Sequence, residues 1–223
     1  MPEPIKEALQ QAIERDNPVF VIREDIVGCA GGSGNTGEIG GVFEVTSGIY
    51  DPWPERCIDT PISESAGVNA AAGAALVRRR PIAEIMFADA IGVCMDQIVN
   101  QMAKFRYIFG GQSQCPAVIR SPQGGGFSAA SQHSQAMYQV TTSVPGLKVV
   151  VPSNADDAKR LMMSAIEDND PVLFFEPKIL DQETAEVPDD AYSISFGEAD
   201  FVREGDDVTV VAFGQMVSTA ATA

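Results

Sequence analysis

The chain has 223 residues, 45% of them hydrophobic, enough for one large or two small domains. Its net charge of −16 is uneven: residues 1–58 hold ten acids and four bases, 59–150 five and seven, and 151–223 sixteen and four. Phosphate contact needs a basic face, so nucleic acid is excluded as a partner, whereas the slightly positive middle third suits an anionic small molecule or cofactor.

Ile5, Leu9, Ala12 and Ile13 fall at helical spacing, which predicts a short amphipathic helix broken by Asn17-Pro18. Residues 18–22 (PVFVI) read as a buried strand with Glu24 and Asp25 at its carboxyl end. Residues 28–41 carry seven glycines in fourteen positions, including a GxGxxG match over 32–37, with Glu55 near the spacing of a ribose-binding acid. A dinucleotide site needs a helix opening at the last glycine, and Gly40-Gly41 follow instead, so a mobile loop is the better reading. Asp51-Pro52-Trp53-Pro54 is a turn whose tryptophan reads as a packing anchor.

Thr60-Pro61 predicts a helix start, with Thr as cap and Pro at the first helical position. The helix should run to about Val77, placing Glu64 in its first turn. Its glycines and alanines make it thin, so a sheet or a flat ligand can approach closely. Arg78-Arg79-Arg80 end it, as cations suit a carboxyl terminus. A strand is expected over 81–87, then a long helix over 91–109 with the stripe Ile91, Met95, Ile98, Met102, Phe105 and Phe109. Strands follow at 116–120, 147–151 and 171–175, with a helix over 155–167. Gly124-Gly125-Gly126 form a loop, and His133, the only histidine, lies near a helix start. Residues 181–207 read as an acidic linker or surface hairpin, 207–213 as a new strand and 214–223 as a helix.

Apolar strands alternating with helices predict an α/β fold with a parallel sheet covered on both faces. Ligands then sit at the carboxyl ends of the strands, in loops 24–41, 59–64, 88–90 and 121–133. Glu64 and His133 both fall there and make an acid/base pair. Each also has a plainer reading: an acid favoured at a helix amino end by up to about 1 kcal/mol, and a capping or surface histidine. Cys29, Cys57, Cys94 and Cys115 show neither CxxC nor metal spacing, which points to free thiols in a reducing compartment. No apolar run approaches a membrane span and Met1-Pro2-Glu3 is not a secretory start, so a cytoplasmic protein is expected.

The segments DTPISES (59–65), RPIAEIMFAD (80–89), DQIVNQMAKFRYIFGGQ (96–112), QHSQ (132–135), PGLKVVVPSNADDAK (145–159) and AIEDNDPVLFFEPK (165–178) together span most of the chain. In them it resembles the β subunit of the thiamin-diphosphate-dependent 2-oxo acid dehydrogenases, the decarboxylating component of the pyruvate, branched-chain and acetoin systems. The Gly-rich loop before GGVF (40–43), together with IGVCMDQ (91–97) and KFRYIFGG (104–111), looks most like the acetoin type. The resemblance implies a transketolase-like pyrimidine-binding domain over 1–197 and, over 198–223, the start of a truncated carboxyl-terminal transketolase-type domain.

It also implies an α2β2 heterotetramer in which the α subunit holds the diphosphate and Mg2+ and this chain holds the aminopyrimidine ring. A lipoyl-bearing acyltransferase would take the acyl unit from a 2-oxo acid or acetoin. Glu64 would hydrogen-bond the ring nitrogen across from the exocyclic amine and favour the imino form that takes the thiazolium proton. Apolar alanines around Glu64 would help it share that proton. His133 would face substrate and the lipoyl group, and Met86 would border the pyrimidine. Ala90 stands where the family usually stacks an aromatic, a loss of roughly 0.5–1.5 kcal/mol that Phe87 or Phe127 could make good. Ala117, Ala165, Asp168 and Asp170 mark a region where some members hold a structural K+, mostly through backbone carbonyls. Two rivals remain: a non-catalytic assembly subunit with weakened cofactor binding, motivated by Ala90, and a dinucleotide-binding oxidoreductase resting on GxGxxG alone.

Overall fold

Five buried residues, Val19–Arg23, form strand β1, second from one edge of a six-stranded parallel sheet. The structure is a computed structural model that describes residues 1–27, 40–126, 128–181 and 186–223. The GxGxxG segment, Cys29 and Phe127 lie outside the described residues. β2 (Cys57–Asp59), β3 (Arg80–Glu84), β4 (Val118–Gln123), β5 (Lys148–Val150) and β6 (Val172–Pro177) complete the sheet in the order β2-β1-β3-β4-β6-β5. Every pairing is parallel. The chain leaves β1 to one side for β2 and returns on the other as β3, which opens a crevice at the carboxyl ends there.

Helices cover both faces, as expected. α1 (Pro2–Arg15) and α5 (Ala155–Glu167) bury their apolar stripes on one face. α2 (Glu64–Leu76) and the helical run over 88–108 cover the other. α5 matches its expected bounds because Asn154 caps it, accepting from the Asp157 amide at 2.8 Å. Trp53 packs against the first core as an anchor.

Several local expectations are corrected. α2 starts at Glu64, not at Pro61, because the Thr60 amide is drawn into the sheet by the Arg23 carbonyl at 3.1 Å. It ends at Leu76; Arg78 turns the chain at φ +66° and Arg80 already belongs to β3. The expected helix over 91–109 is a series of turns: 3-10 over Ala88–Cys94, π over Asp96–Gln101, 3-10 over Met102–Lys104, then α3 (Phe105–Ile108). Its stripe still buries Ile91, Ile98, Met102 and Phe105, so packing keeps the face while the ladder changes; Phe109 is left exposed.

Residues 186–196 form a strap along α5 rather than a hairpin. Ser164 Oγ donates to the Ile194 carbonyl at 2.6 Å, and the buried Lys159 ammonium reaches Glu7 Oε1 at 2.8 Å and the Pro188 carbonyl. No strand forms over 207–213, since no neighbour pairs with it; Val208 and Val211 are exposed, and only a short helix, α6 (Met216–Thr222), follows. α4 (Tyr138–Thr141) sets the Tyr138 ring edge-on to Phe213 at 5.3 Å. Cys57, Cys94 and Cys115 are free and buried, and burial pushes each thiol up to about 12. Among the described residues no helix is long and apolar enough to cross a membrane.

At the carboxyl ends the sheet buries charge. Arg120 of β4, 1% exposed, donates to both Glu176 oxygens at 2.7 Å and lies 2.5 Å from Glu84 Oε2. Burial works against this guanidinium's charge, but Glu176 and Glu84 together hold it above its ordinary value. Burial raises the Glu84 carboxyl, with Arg120 opposing. Removing Arg120 strands two carboxylates. Arg120→Met should cost about 3–5 kcal/mol at neutral pH. Burial already raises the Glu84 carboxyl, and the variant loses the Arg120 charge that opposes the rise, so its ionised form costs the variant more stability as pH rises and the deficit should shrink at about pH 5. Urea unfolding at both pH values measures this, and an unchanged midpoint at neutral pH contradicts it.

Candidate active site

Glu64 is the first residue of α2 and sits at the carboxyl end of β1. A helix amino end favours its charge. Its Oε1 lies 3.5 Å from Arg23 Nη2, and its side chain is 16% exposed. Arg23 Nη2 also makes a closer ion pair with Glu24, and its Nε is buried without a hydrogen-bond partner among the described residues. Burial raises the Glu24 carboxyl above its ordinary value; Arg23 opposes the rise and Glu64 adds to it. The expected alanine pocket around Glu64 is therefore corrected. Ala71, Ala72 and Ala75 pack on the sheet with Phe20, Ile22 and Ala83, and Glu64 itself faces a guanidinium.

The Ser65 hydroxyl donates to the Val93 carbonyl at 2.7 Å and ties the first turn of α2 to the 88–94 turn. Met86 and Phe87 lead into that turn. Met86 is half-buried and reaches the loop at Gly41, where an added Cβ would lie 3.5 Å from Met86 Cε. Phe87 holds φ +78°. Its ring meets Phe43 edge-on at 5.5 Å and the His133 imidazole edge-on at 4.2 Å. Ala90 is half-buried at the margin of the second core and offers no aromatic face.

His133 closes a 3-10 turn over Ser131–His133. Lys178 donates its ammonium to the His133 carbonyl and lies 4.9 Å above the Phe87 ring. The Gln135 amide and Nε2 donate to Asp89 Oδ1 at 3.3 and 2.7 Å, while Asp89 Oδ2 is buried without a hydrogen bond among the described residues. Burial lowers Lys178 from its ordinary value, with Asp89 and Asp181 opposing. Glu64 and His133 thus approach the 88–94 turn from two sides, the first through Ser65 and the second through Phe87 and Gln135. Arg23, Glu24, Asp89 and Lys178 were not singled out from sequence as site residues. For Arg23 and Glu24 the available signal was charge at the end of a buried strand.

The potassium donors do not fit a free cation. Both Asp168 oxygens lie within 2.8 Å of Lys148 Nζ, and Asp170 Oδ1 accepts from Arg106 Nε at 2.6 Å. Arg80 Nη1 takes the Ile166 and Asp168 carbonyls at 2.7 and 2.9 Å. The Ala117 carbonyl accepts from Val172 in the sheet, and Ala165 is buried within α5. Three side-chain cations already surround these oxygens, and each adds roughly 4 kcal/mol of repulsion to a fourth charge at 4 Å. A cavity of about 160 Å3 lies beside this cluster, lined by Arg106, Cys115, Lys148 and Asp170 among others, and not by Glu64, Met86 or His133. Among the described residues no group of three or more His, Cys, Asp or Glu could hold a metal.

Compared with known families, residues 1–182 match the transketolase pyrimidine-binding domain. The chain belongs to that family. This transketolase-type domain is 54% identical over 216 residues to the acetoin:2,6-dichlorophenolindophenol oxidoreductase subunit beta of Cupriavidus necator, covering 97% of this chain and 64% of that one. It is 44% identical to the 2-oxoisovalerate dehydrogenase subunit beta of Bacillus subtilis, covering 96% and 63%. To the pyruvate dehydrogenase E1 component subunit beta of Rickettsia felis it is 41% identical, covering 98% and 64%. A solved split-gene transketolase, an inactive beta4 tetramer, shares the fold with a TM-score of 0.74 at 24% identity, over 99% of this chain and 63% of that one. The chain thus spans just under two thirds of the length of these relatives.

If the three cations serve as counter-ions for the 166–170 segment, the melting temperature should agree within about 1 °C in KCl and NaCl of equal ionic strength. Thermal unfolding followed by circular dichroism measures it. A rise specific to potassium would restore the metal site.

Proposed function

We propose that this chain is the pyrimidine-binding part of the β subunit of a thiamin-diphosphate-dependent oxidoreductase, working with a separate α subunit. The observation that carries the reading is the Glu64 carboxylate, placed at the first residue of α2 and at the open carboxyl ends of the strands. The beta-subunit names of the relatives support it, and the acetoin:2,6-dichlorophenolindophenol oxidoreductase subunit beta of Cupriavidus necator, at 54% identity against 44% and 41% for the 2-oxoisovalerate and pyruvate dehydrogenase subunits, favours acetoin as substrate over a 2-oxo acid.

The donor set fits an aminopyrimidine. It offers one carboxylate with restricted solvent access, a half-buried Met86 thioether after β3, and a small half-buried side chain at Ala90. Thiamin diphosphate, when bound, supplies a nucleophilic carbon and an electron sink. The chain's residues do the rest. Glu64 would accept a hydrogen bond from the ring nitrogen at its carboxylate, with Arg23 Nη2 3.5 Å from Oε1 to fix the carboxylate's direction. Met86 borders the ring without competing for hydrogen bonds. His133 faces the substrate and moves a proton to or from its oxygen. The diphosphate and Mg2+ fall to the α subunit in an α2β2 assembly, and a lipoyl-bearing acyltransferase receives the acyl unit. Residues 198–223 open a second domain, a reading supported by the exposed Val208, Val210, Val211 and Phe213.

In the enzyme assembled from the full-length β subunit and its α partner, Glu64→Gln should lower turnover at least about 100-fold. The melting temperature of the variant should stay near that of the parent. Acetoin- and pyruvate-dependent reduction of an artificial acceptor gives the rates. Calorimetry with thiamin diphosphate gives the binding. Near-normal turnover defeats the role of Glu64, and no saturable binding by the parent enzyme turns the reading toward a non-catalytic assembly subunit.

A further inference from the structure

Lys178 follows β6 directly, in a 3-10 turn over Lys178–Leu180, and is only 5% exposed. Its backbone is fixed. Pro177 pairs in register with Gln123 of β4, and the Lys178 carbonyl accepts from the Asp181 amide at 3.1 Å. The side chain leaves this rigid base and ends at two groups: the His133 carbonyl and the face of the Phe87 ring. A buried ammonium is costly unless it is paired. Here the compensation is one carbonyl and one aromatic face, together with the more distant Asp89 and Asp181 carboxylates.

Both contacts converge on one side chain. The Phe87 ring that carries the cation also stacks edge-on against the His133 imidazole, with centroids 4.2 Å apart. The turn bearing His133 is short, and its other ties fall on the residues after the histidine: Ser134 bonds locally to Ala130, and Gln135 donates to Asp89 and accepts from the Gly124 amide at 3.0 Å. Lys178 is the link that reaches the His133 backbone itself from the end of β6.

We propose that Lys178 is a positioning residue for His133: its ammonium grips the His133 backbone and the Phe87 face at once, and so sets the imidazole against the Phe87 edge at the mouth of the site. The proposal rests on the reading of His133 as the substrate-facing residue. The clamp itself is testable without that reading.

The chain has a single histidine, so one set of imidazole signals reports His133 without assignment. In the chain labelled with 13C-histidine, those signals should be displaced from the free-histidine position by the Phe87 ring. Lys178→Met should move them most of the way back while the melting curve stays cooperative. Lys178→Arg, which keeps charge and donors, should hold them near their original position. If the Met variant does not fold, Lys178→Gln is read by the same signals. In the assembled enzyme, Lys178→Met should lower kcat about tenfold or more with KM little changed, as for a misplaced reacting group, and Lys178→Arg should recover most of it. Unchanged imidazole signals in the Met or Gln variant overturn the clamp. Unchanged kcat, where His133→Ala is slow, overturns the positioning role. A normal rate in His133→Ala instead removes the functional reading of the histidine and leaves the spectra to decide the clamp.

Discussion

The Arg120 guanidinium between Glu84 and Glu176 is the constraint under everything else. Glu84 and Arg120 are register partners on β3 and β4, and Pro122 pairs with Glu176 on β6. A one-residue slip of any of these strands would turn a charge toward the apolar face and leave its partner alone. The buried ion pairs therefore specify register more than they add stability. The same logic continues toward β1, where the charges of Arg23 and Glu24 are felt at Glu84. The result is a floor of paired charge across the carboxyl ends of β1, β3, β4 and β6. The loops that carry Glu64, Met86 and His133 rise from it.

Much of this architecture was legible because it rests on patterns with a local cause. Asn154 followed by Asp156 and Asp157 marks the start of α5, and the alternation of Val- and Ile-rich runs with helices marks a parallel sheet. The errors share a different cause. Thr60-Pro61 carries a good cap signal, yet β1 claims the Thr60 amide, and that partner is 37 residues away in sequence. β2 has only three residues with one buried, too few to show a period. The stripe over 91–109 gave the right buried face, but periodicity constrains which side chains point inward and not which carbonyl each amide finds. Residues 207–213 have the composition of a strand, and a strand also needs a neighbour.

The site follows the same division. Glu64 and His133 could be placed from the topology, since both lie in loops at the carboxyl ends, and the family resemblance supplied their roles. Their surroundings could not be read in this way. Arg23 and Glu64 are 41 residues apart, and Lys178 and His133 are 45 apart. Asp168 and Asp170 look like cation donors in one dimension. In three dimensions Lys148 and Arg106 have reached them first. Charge counting along the chain finds the ions and misses the pairs.

Phe87 shows how the floor and the loops are joined. A bulky residue at φ +78° costs of order 1–3 kcal/mol and persists only where its surroundings outweigh the strain. The ring has such surroundings, namely Phe43, the His133 imidazole and the Lys178 ammonium. With ordinary backbone angles the ring would leave all three. Just before the turn that holds Ala90, the backbone is thus bent to bring an aromatic to the histidine rather than to a ligand. The aromatic missing at position 90 is not simply replaced by its neighbour three residues earlier, because that neighbour is already committed. The fixed imidazole beyond Phe87 is one consequence of that strained backbone.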